Sequence, residues 1–296
     1  MNIGVSLPLG YLTGAEDGAG AKSLSTAFGS PRDCLAELKD HGVTYIELQG
    51  FGPDTPPDTF LAALERISGS EMRLSLHGYL SGDIISHLLS AVASLEGRQE
   101  DTVLVVHPLA HPGGTYATMA EATARALERL AEDIRTHDLP VSIALEINRY
   151  HGIESPGTAY DGLLEIARLL GDDAKVGFCW DMGHTASSVL QKRLPSAPPP
   201  EFAARVTHTH LHNVSPKGDT HWPLTESCPH LTSGISRLEG RGYMGIYNLE
   251  LYPTRWEAEH DVKDGMLRSI LCLRKLMDNI RCHRQSAADE SVEQSP

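Results

Sequence analysis

The side chains in this sequence best able to do chemistry are histidines and carboxylates that stand at the ends of short apolar segments. In chain order they are His77, His107, Glu146, Asp181, His184, His210, Asp219, His221 and Glu250. Imidazole nitrogens and carboxylate oxygens together suit Mn, Co, Mg or Zn. A single His or Glu at such a place is usually structural. The prediction of a metal site therefore depends on a fold that brings these side chains together.

The elements that must position them are eight short apolar segments, which alternate with amphipathic stretches. The predicted strands are 3–6, 45–48, 73–76, 102–106, 142–145, 176–179, 206–211 and 246–249. The predicted helices are 31–40, 57–68, 84–96, 116–137, 160–170, 231–240 and 260–277. Eight such units predict an α/β fold, a single-domain (β/α)8 TIM barrel. An open doubly wound sheet is the alternative, but no GxGxxG follows the first strand.

The sequence gives no sign of a boundary between two folded domains. We assign the barrel to residues 1–284 and predict a disordered polar tail over 285–296, because that segment is acidic and lacks apolar periodicity. A glycine-rich segment at 10–30 is predicted as a long loop that could close over a small substrate.

Charge and cysteine content restrict the class of protein. The net charge is −14, and this argues against strong binding to nucleic acid phosphates. The five cysteines include no CxxC pair, which predicts reduced thiols and a cytoplasmic protein. No apolar run reaches the ~18 residues of a membrane helix, and no basic residue precedes the first apolar segment, which we interpret as a strand. The expected partner is a small polyhydroxylated molecule, and a homo-oligomer stays open.

Barrel active sites lie at the carboxyl ends of the strands, where the nine residues fall. Without a cation, the fold would bury several carboxylates beside one another at high cost. We therefore predict a divalent metal site of one to three ions per chain. Glu146, Asp181, His210 and Glu250 would form a central set of three carboxylates and one imidazole. His184 follows Asp181 by three residues, so one helical turn would put both on the same side.

Four motifs carry a resemblance to a known family. They are CWDMGH at 179–184, HLHN at 210–213, GDTH at 218–221, and LEL at 249–251 after GRGYMG. These resemble the xylose isomerase-like barrels, a superfamily of sugar and sugar-phosphate isomerases, epimerases, dehydratases and endonuclease IV. The resemblance implies one metal on the central set, Glu146 and Glu250 as an acid/base pair, and His184 as a residue that binds a substrate hydroxyl or relays a proton. It implies isomerisation or epimerisation by proton transfer through a metal-stabilised enediolate.

Endonuclease IV is the main alternative within that resemblance. Its three-metal site implies ligands at all nine positions, with His77, His107, His184, Asp219 and His221 as additional ligands. Such a site would cleave phosphodiesters, such as abasic-site DNA. The acidic charge argues against it, as does the replacement of the usual glycine-containing segment by WPLTESCPH after His221. A polyol dehydratase or biosynthetic tailoring enzyme also stays open. The intact ligand set argues against a non-catalytic barrel.

Four further residues are predicted to help bind substrate. Glu47 stands near the end of the second strand, and His212 lies at strand spacing from His210 and could orient it. Trp180 and Trp222 are predicted to wall the sugar pocket, with core packing as the alternative.

Overall fold

The computed structural model describes residues 1–15, 18–80, 84–94, 102–150, 152–171 and 175–293. Eight parallel strands close into a barrel in sequential order. They are β1 (Asn2–Pro8), β2 (Tyr45–Gln49), β3 (Arg73–His77), β4 (Thr102–Val106), β5 (Val141–Glu146), β6 (Val176–Asp181), β7 (Val206–Leu211) and β8 (Ile246–Leu249). Closure comes from β1, which pairs Gly4 with Tyr45 of β2 and Asn2 with Ile246 of β8. The chain is therefore a single-domain (β/α)8 TIM barrel, as predicted.

Helices surround the barrel. They are α1 (Leu9–Thr13), α2 (Ala19–Phe28), α3 (Pro31–Asp40), α4 (Pro57–Gly69), α5 (Ile84–Ser94), α6 (Tyr116–Thr136), α7 (Tyr160–Leu170), α8 (Met182–Leu190), α9 (Pro200–Ala204), α10 (Pro229–Gly240) and α11 (Val262–Glu293). Short 3-10 turns lie at Pro156–Thr158 and Pro253–Arg255. Among the described residues, no helix is both long and apolar enough to cross a membrane.

Period-two alternation along the strands separates two buried layers. The larger layer lies between strands and helices and includes Phe178 and Trp180 of β6. A small apolar layer, formed by Val105, Ala144 and Cys179, lies in the barrel interior. The polar side chains at the carboxyl ends of the strands lie on this interior side. The last inward-facing residues of the strands therefore lie close together at the carboxyl end of the barrel interior.

The helices account for most differences from the sequence prediction. Segment 10–30 is not a long loop but forms most of α1 and all of α2, whose apolar side chains Tyr11, Leu12 and Leu24 are buried. Residues 16 and 17 of that segment lie outside the described residues. Helices α8 and α9 were also not predicted. The predicted end of α5 at Glu96 falls outside the described residues.

The last helix, α11, runs beyond its predicted end at Met277 to Glu293. It thus extends into the polar tail predicted at 285–296, of which 294–296 lie outside the described residues. The boundary between barrel and tail at residue 284 stays a prediction.

Candidate metal centre

The centre is assembled from strand ends. Glu146 and Asp181 are the last residues of β5 and β6, His210 lies in β7, and Glu250 directly follows β8. Each of these four side chains offers a ligand atom within 4.8 Å of the others. Nδ1 of His210 lies 3.3 Å from Oε2 of Glu146 and 3.3 Å from Oε2 of Glu250. We call these four residues the central cluster.

The central cluster fits a divalent cation. Glu146, Asp181 and His210 are 0% exposed, and Glu250 is 1% exposed. Within the described residues, Oε1 of Glu146, Nδ1 of His210 and Oε2 of Glu250 are buried without a hydrogen-bond partner. Burying three carboxylates side by side, two of them with an orphaned oxygen, is costly unless a cation satisfies them. Three oxygens and one nitrogen suit Mn, Co, Mg or Zn.

A first histidine pair adjoins the cluster at Glu146. His77 ends β3 and His107 follows β4, and their Nε2 atoms are 3.1 Å apart. Oε2 of Glu146 lies 3.3 Å from Nε2 of His77 and 3.1 Å from Nε2 of His107. Both imidazoles therefore converge on a carboxylate that belongs to the central cluster. We call this set the His77–His107 flank.

A second histidine pair adjoins the cluster at Asp181. The Asp181 side chain caps α8 by accepting from the His184 backbone N–H at 2.5 Å, which holds His184 beside it. Nε2 of His184 lies 3.2 Å from Nε2 of His221. Nδ1 of His221 lies 3.2 Å from the Glu250 carbonyl oxygen, to which it can donate. Burial, followed by the charge of His212, lowers the pKa of His221 to about 4, so this imidazole is neutral. We call this pair the His184–His221 flank.

Asp219 is the one predicted ligand that the structure does not bring to the site. Its side chain is exposed, and its Oδ2 accepts a hydrogen bond from Oγ of Ser215 at 3.3 Å. The turn explains this placement. Asn213 and Trp222 form an antiparallel bridge, and the turn between them is closed by the Ser215 backbone N–H, which donates to the Asp219 carbonyl oxygen at 2.8 Å. Asp219 lies in this turn and is exposed, whereas His221 lies beside the bridge and is buried.

Two of the predicted substrate-binding residues are buried against ligands of the central cluster, and their role in substrate binding stays a prediction. Glu47 is fully buried beneath His210, and His212 is fully buried behind Asp181, with Nε2 3.1 Å from Oδ1. Nδ1 of His212 accepts from the His221 backbone N–H at 2.9 Å, so both of its nitrogens are used within the protein. His212 thus supports Asp181 and not His210.

The two tryptophans differ: Trp180 packs in the core, whereas the role of Trp222 as a wall of the sugar pocket stays a prediction. Trp180 points to the outer face of β6, since it neighbours the inward Asp181, and it packs on Phe202. Its indole donates to Thr185 at 3.1 Å, so the core alternative holds. Trp222 packs edge-on against His260, with ring centroids 5.6 Å apart.

One contributor was not predicted. Tyr252 donates its hydroxyl to Oε1 of Glu250 at 3.1 Å and stacks on His221 with ring centroids 4.0 Å apart. The charge of Glu250, followed by burial, raises the pKa of Tyr252, so the hydroxyl stays protonated. A cavity of about 300 Å³ lies beside it, lined by Ser6, Gln49, Gly50, Tyr252 and other residues of β1, α2 and the loop after β8. The feature of the sequence that could have identified Tyr252 was its position two residues after Glu250.

Comparison with known proteins assigns the family. Residues 35–276 match the family described as xylose isomerase-like TIM barrel. The chain belongs to this family.

Solved structures share the fold at low sequence identity. A D-tagatose 3-epimerase-like protein is 17% identical, with 95% of this chain and 98% of that chain covered and a TM-score of 0.61. A sugar phosphate isomerase/epimerase from Parabacteroides distasonis is 14% identical, with coverages of 95% and 96% and a TM-score of 0.60. D-allulose 3-epimerase from Methylomonas sp., in complex with D-allulose, is 15% identical, with coverages of 94% and 97% and a TM-score of 0.58. Among curated proteins, none is similar enough in sequence to match.

Proposed function

We propose that this protein is a metal-dependent isomerase or epimerase of a small sugar, sugar phosphate or polyol. The observation that carries the proposal is the central cluster, which gathers four ligand side chains and includes buried ligand atoms without a hydrogen-bond partner. A cavity of about 300 Å³ lies beside Tyr252, which donates to Glu250, and this volume is at the lower end for small-molecule sites. The sugar epimerases and isomerases among the structural neighbours support the same class.

Glu146 and Glu250 are the proposed acid/base pair. A divalent ion on the central cluster would supply Lewis acidity that stabilises negative charge on the substrate oxygen. Glu250 accepts from Tyr252 through Oε1, which leaves Oε2 directed at the cluster. Glu146 reaches the same place from β5. In an epimerase, one carboxylate would take the proton beside the carbonyl and the other would return a proton to the opposite face. In an isomerase, the proton would return to the neighbouring carbon.

The protonation states suit this role. Burial alone would raise the pKa of Glu146, but the charges of His107, His210 and His77 outweigh it and hold that pKa well below its usual range. At Glu250 the effect of burial on the pKa is outweighed by the charge of His210 and by hydrogen bonds from His221 and His77. Both carboxylates are therefore ionised near neutral pH and able to accept a proton. His184, beside Asp181, would bind a substrate hydroxyl.

A multinuclear phosphoesterase is the second candidate, and the two flanks favour it. His77, His107 and Glu146 form a set of ligand atoms within 4.8 Å of one another, and so do His184, His212 and His221. In the second set, His212 is already satisfied by Asp181 and the His221 backbone. Additional ions on these flanks would suit attack on a phosphodiester, with abasic-site DNA as the substrate to test.

Two measurements on one preparation separate these functions. Metal per chain is measured by elemental analysis on protein purified without chelator or metal-affinity resin. The same protein is incubated with D-fructose, D-tagatose, D-allulose and ketose phosphates in ²H₂O, and NMR detects deuterium at the carbon beside the carbonyl. About one ion per chain with deuterium incorporation supports the isomerase or epimerase. Two or three ions, no incorporation and nicking of abasic DNA would replace it with the phosphoesterase.

A further inference from the structure

Glu47 lies beneath the central cluster and contacts one of its ligands from below. Its side chain is 0% exposed. Nε2 of His210 lies 3.1 Å from Oε1 and 3.2 Å from Oε2 of Glu47. Nδ1, on the other side of the same imidazole, faces Glu146 and Glu250. His210 thus connects a buried carboxylate below to the central cluster above.

Neighbouring donors fix the orientation of the Glu47 carboxylate. Oγ of Ser6 donates to Oε1 at 2.8 Å, and Nδ2 of Asn248 donates to Oε1 at 3.0 Å. Nδ2 of Asn248 also donates to Oγ of Ser6 at 2.8 Å, which closes a three-membered network. Nε2 of His208 lies 2.9 Å from the other oxygen, Oε2. Gly4 permits this packing, because a Cβ there would lie 2.5 Å from Oδ1 of Asn248.

The contacts of the carboxylate are those of an acceptor. The Ser6 hydroxyl and the Asn248 amide both donate to Oε1, and Nε2 of His210 lies within hydrogen-bond distance of both oxygens. A carboxylate offers acceptor sites and no donor. The imidazole nitrogen of His210 that faces it is therefore the donor and carries a proton.

We propose that Glu47 is a positioning residue that fixes a proton on Nε2 of His210 and so leaves the Nδ1 lone pair for the metal. A neutral imidazole has one protonated and one unprotonated nitrogen, and the partner of one nitrogen decides the state of the other. Nδ1 of His210 has no hydrogen-bond partner among the described residues. The inference rests on the metal site of the proposed function, but not on its substrate or reaction.

Glu47→Gln is the sharpest test, because it changes the proton pattern at nearly constant volume. Ser6 and Asn248 both donate to Oε1, so the glutamine oxygen takes that position and its NH₂ takes the place of Oε2. The NH₂ group then faces Nε2 of His210 and of His208. Nε2 of His210 must accept, and the imidazole proton moves to Nδ1, the atom needed for the metal.

The experiment measures zinc affinity by chelator competition in wild type, Glu47→Gln and Glu239→Gln. The Glu239 variant is the matched control, because Glu239 is also a buried, hydrogen-bonded carboxylate but contacts Tyr247 and Arg281 and no residue of the central cluster. Loss of a partner behind a metal ligand costs about 10- to 100-fold in affinity, so we expect that loss in Glu47→Gln and less than about threefold in Glu239→Gln. Long-range ¹H–¹⁵N spectra of the zinc-loaded wild type are expected to show His210 protonated at Nε2 and coordinated at Nδ1.

The outcomes are separable. Equal zinc affinity in wild type and Glu47→Gln, or coordination of zinc by Nε2 of His210, overturns the inference and leaves the proposed function standing. If Glu47→Gln does not fold, the wild-type spectrum alone decides. If wild type binds no zinc, Mn or Co, the proposed function fails. The inference, which rests on that metal site, then fails with it.

Discussion

The two histidine flanks differ in how completely each is built. His77 and His107 meet at Glu146, a carboxylate that the central cluster shares. His184 and His221 meet each other, but the carboxylate expected to join them, Asp219, is exposed. The first flank comes from the ends of neighbouring strands, whereas half of the second comes from the loop after β7. Strand ends have one inward direction, so a barrel places ligands more reliably there than in a loop.

This difference bears on function. Both candidate reactions need the central cluster, and only the phosphoesterase needs ions on the flanks. Changes in the central cluster should therefore have large effects whichever reaction is correct. Changes in the flanks should have smaller effects if the protein is a mononuclear isomerase or epimerase.

The largest effect is expected in the central cluster, for Glu250→Gln. The amide keeps the shape of the side chain but removes the charge and the base, so deuterium incorporation into the substrate should fall by at least about 10³-fold. NMR in ²H₂O measures it. Glu259→Gln, an exposed change on the same side of the barrel, is the control and should behave as wild type. A Glu250→Gln variant with more than a tenth of wild-type turnover, as an approximate limit, would remove Glu250 from the acid/base pair.

A smaller effect is expected in the His77–His107 flank, for His107→Ala. His107 contacts Glu146 but lies outside the central cluster, so the variant should keep its single ion and bind it about tenfold more weakly. Elemental analysis and chelator competition measure this. His111→Ala, in the exposed loop that follows, is the matched control. Loss of a whole ion from His107→Ala alone would mean that the flank is itself a metal site.

The same flank predicts how stability depends on pH in the metal-free protein. Burial lowers the pKa of His77, but the charges of Glu146 and Glu250 outweigh it and raise that pKa to about 9. Because this value is above the ordinary ~6.5 of an unfolded chain, the stabilisation is complete below pH 6.5 and is lost as pH rises to about 9.

Melting temperature in EDTA should therefore fall by several degrees, roughly 2–4 °C per kcal/mol for a chain of this size, between pH 6.5 and 9. Zinc should weaken or reverse this trend, because metal competes with protons for the same nitrogens. His77→Asn removes one titrating group and should make the EDTA profile less steep, with the remaining slope due to His210 and His212, whose pKa values are also raised. A metal-free wild type whose melting temperature holds or rises across this range would contradict the assignment.

Much of the barrel could be predicted from the sequence, because the strands appear as short apolar segments and the site residues follow directly at their carboxyl ends. Each of the eight predicted strands overlaps an observed strand, and the predicted first residues Tyr45 and Val206 are also the observed ones. Helices α1 and α2 were not predicted, since glycines at 10, 14, 18 and 20 outweighed the apolar spacing of Tyr11, Leu12 and Leu24.

The site was predictable where the strands alone decide it. Because side chains alternate along a strand, the inward Asp181 requires Trp180 to point outward. The alternation alone could therefore have shown that Trp180 packs in the core and does not wall the sugar pocket. The burial of Glu47 was not predictable in this way, because it depends on His208 and His210 from a strand 160 residues later in the chain. The exposed side chain of Asp219 depends on the turn that the Ser215–Asp219 backbone hydrogen bond closes, which no spacing in the sequence reports.

The smallest effect is expected for Asp219→Asn. The side chain is exposed and accepts from Ser215, and an amide oxygen can accept the same hydrogen bond. We expect metal content, zinc affinity and melting temperature to change by no more than the scatter of replicate measurements. His221→Asn, two residues away, is the contrast: it removes the imidazole between Glu250 and His184 and should lower metal affinity about tenfold. A loss of one ion in Asp219→Asn would mean that the loop closes over a third metal when metal is bound, and the two flanks would then be equivalent.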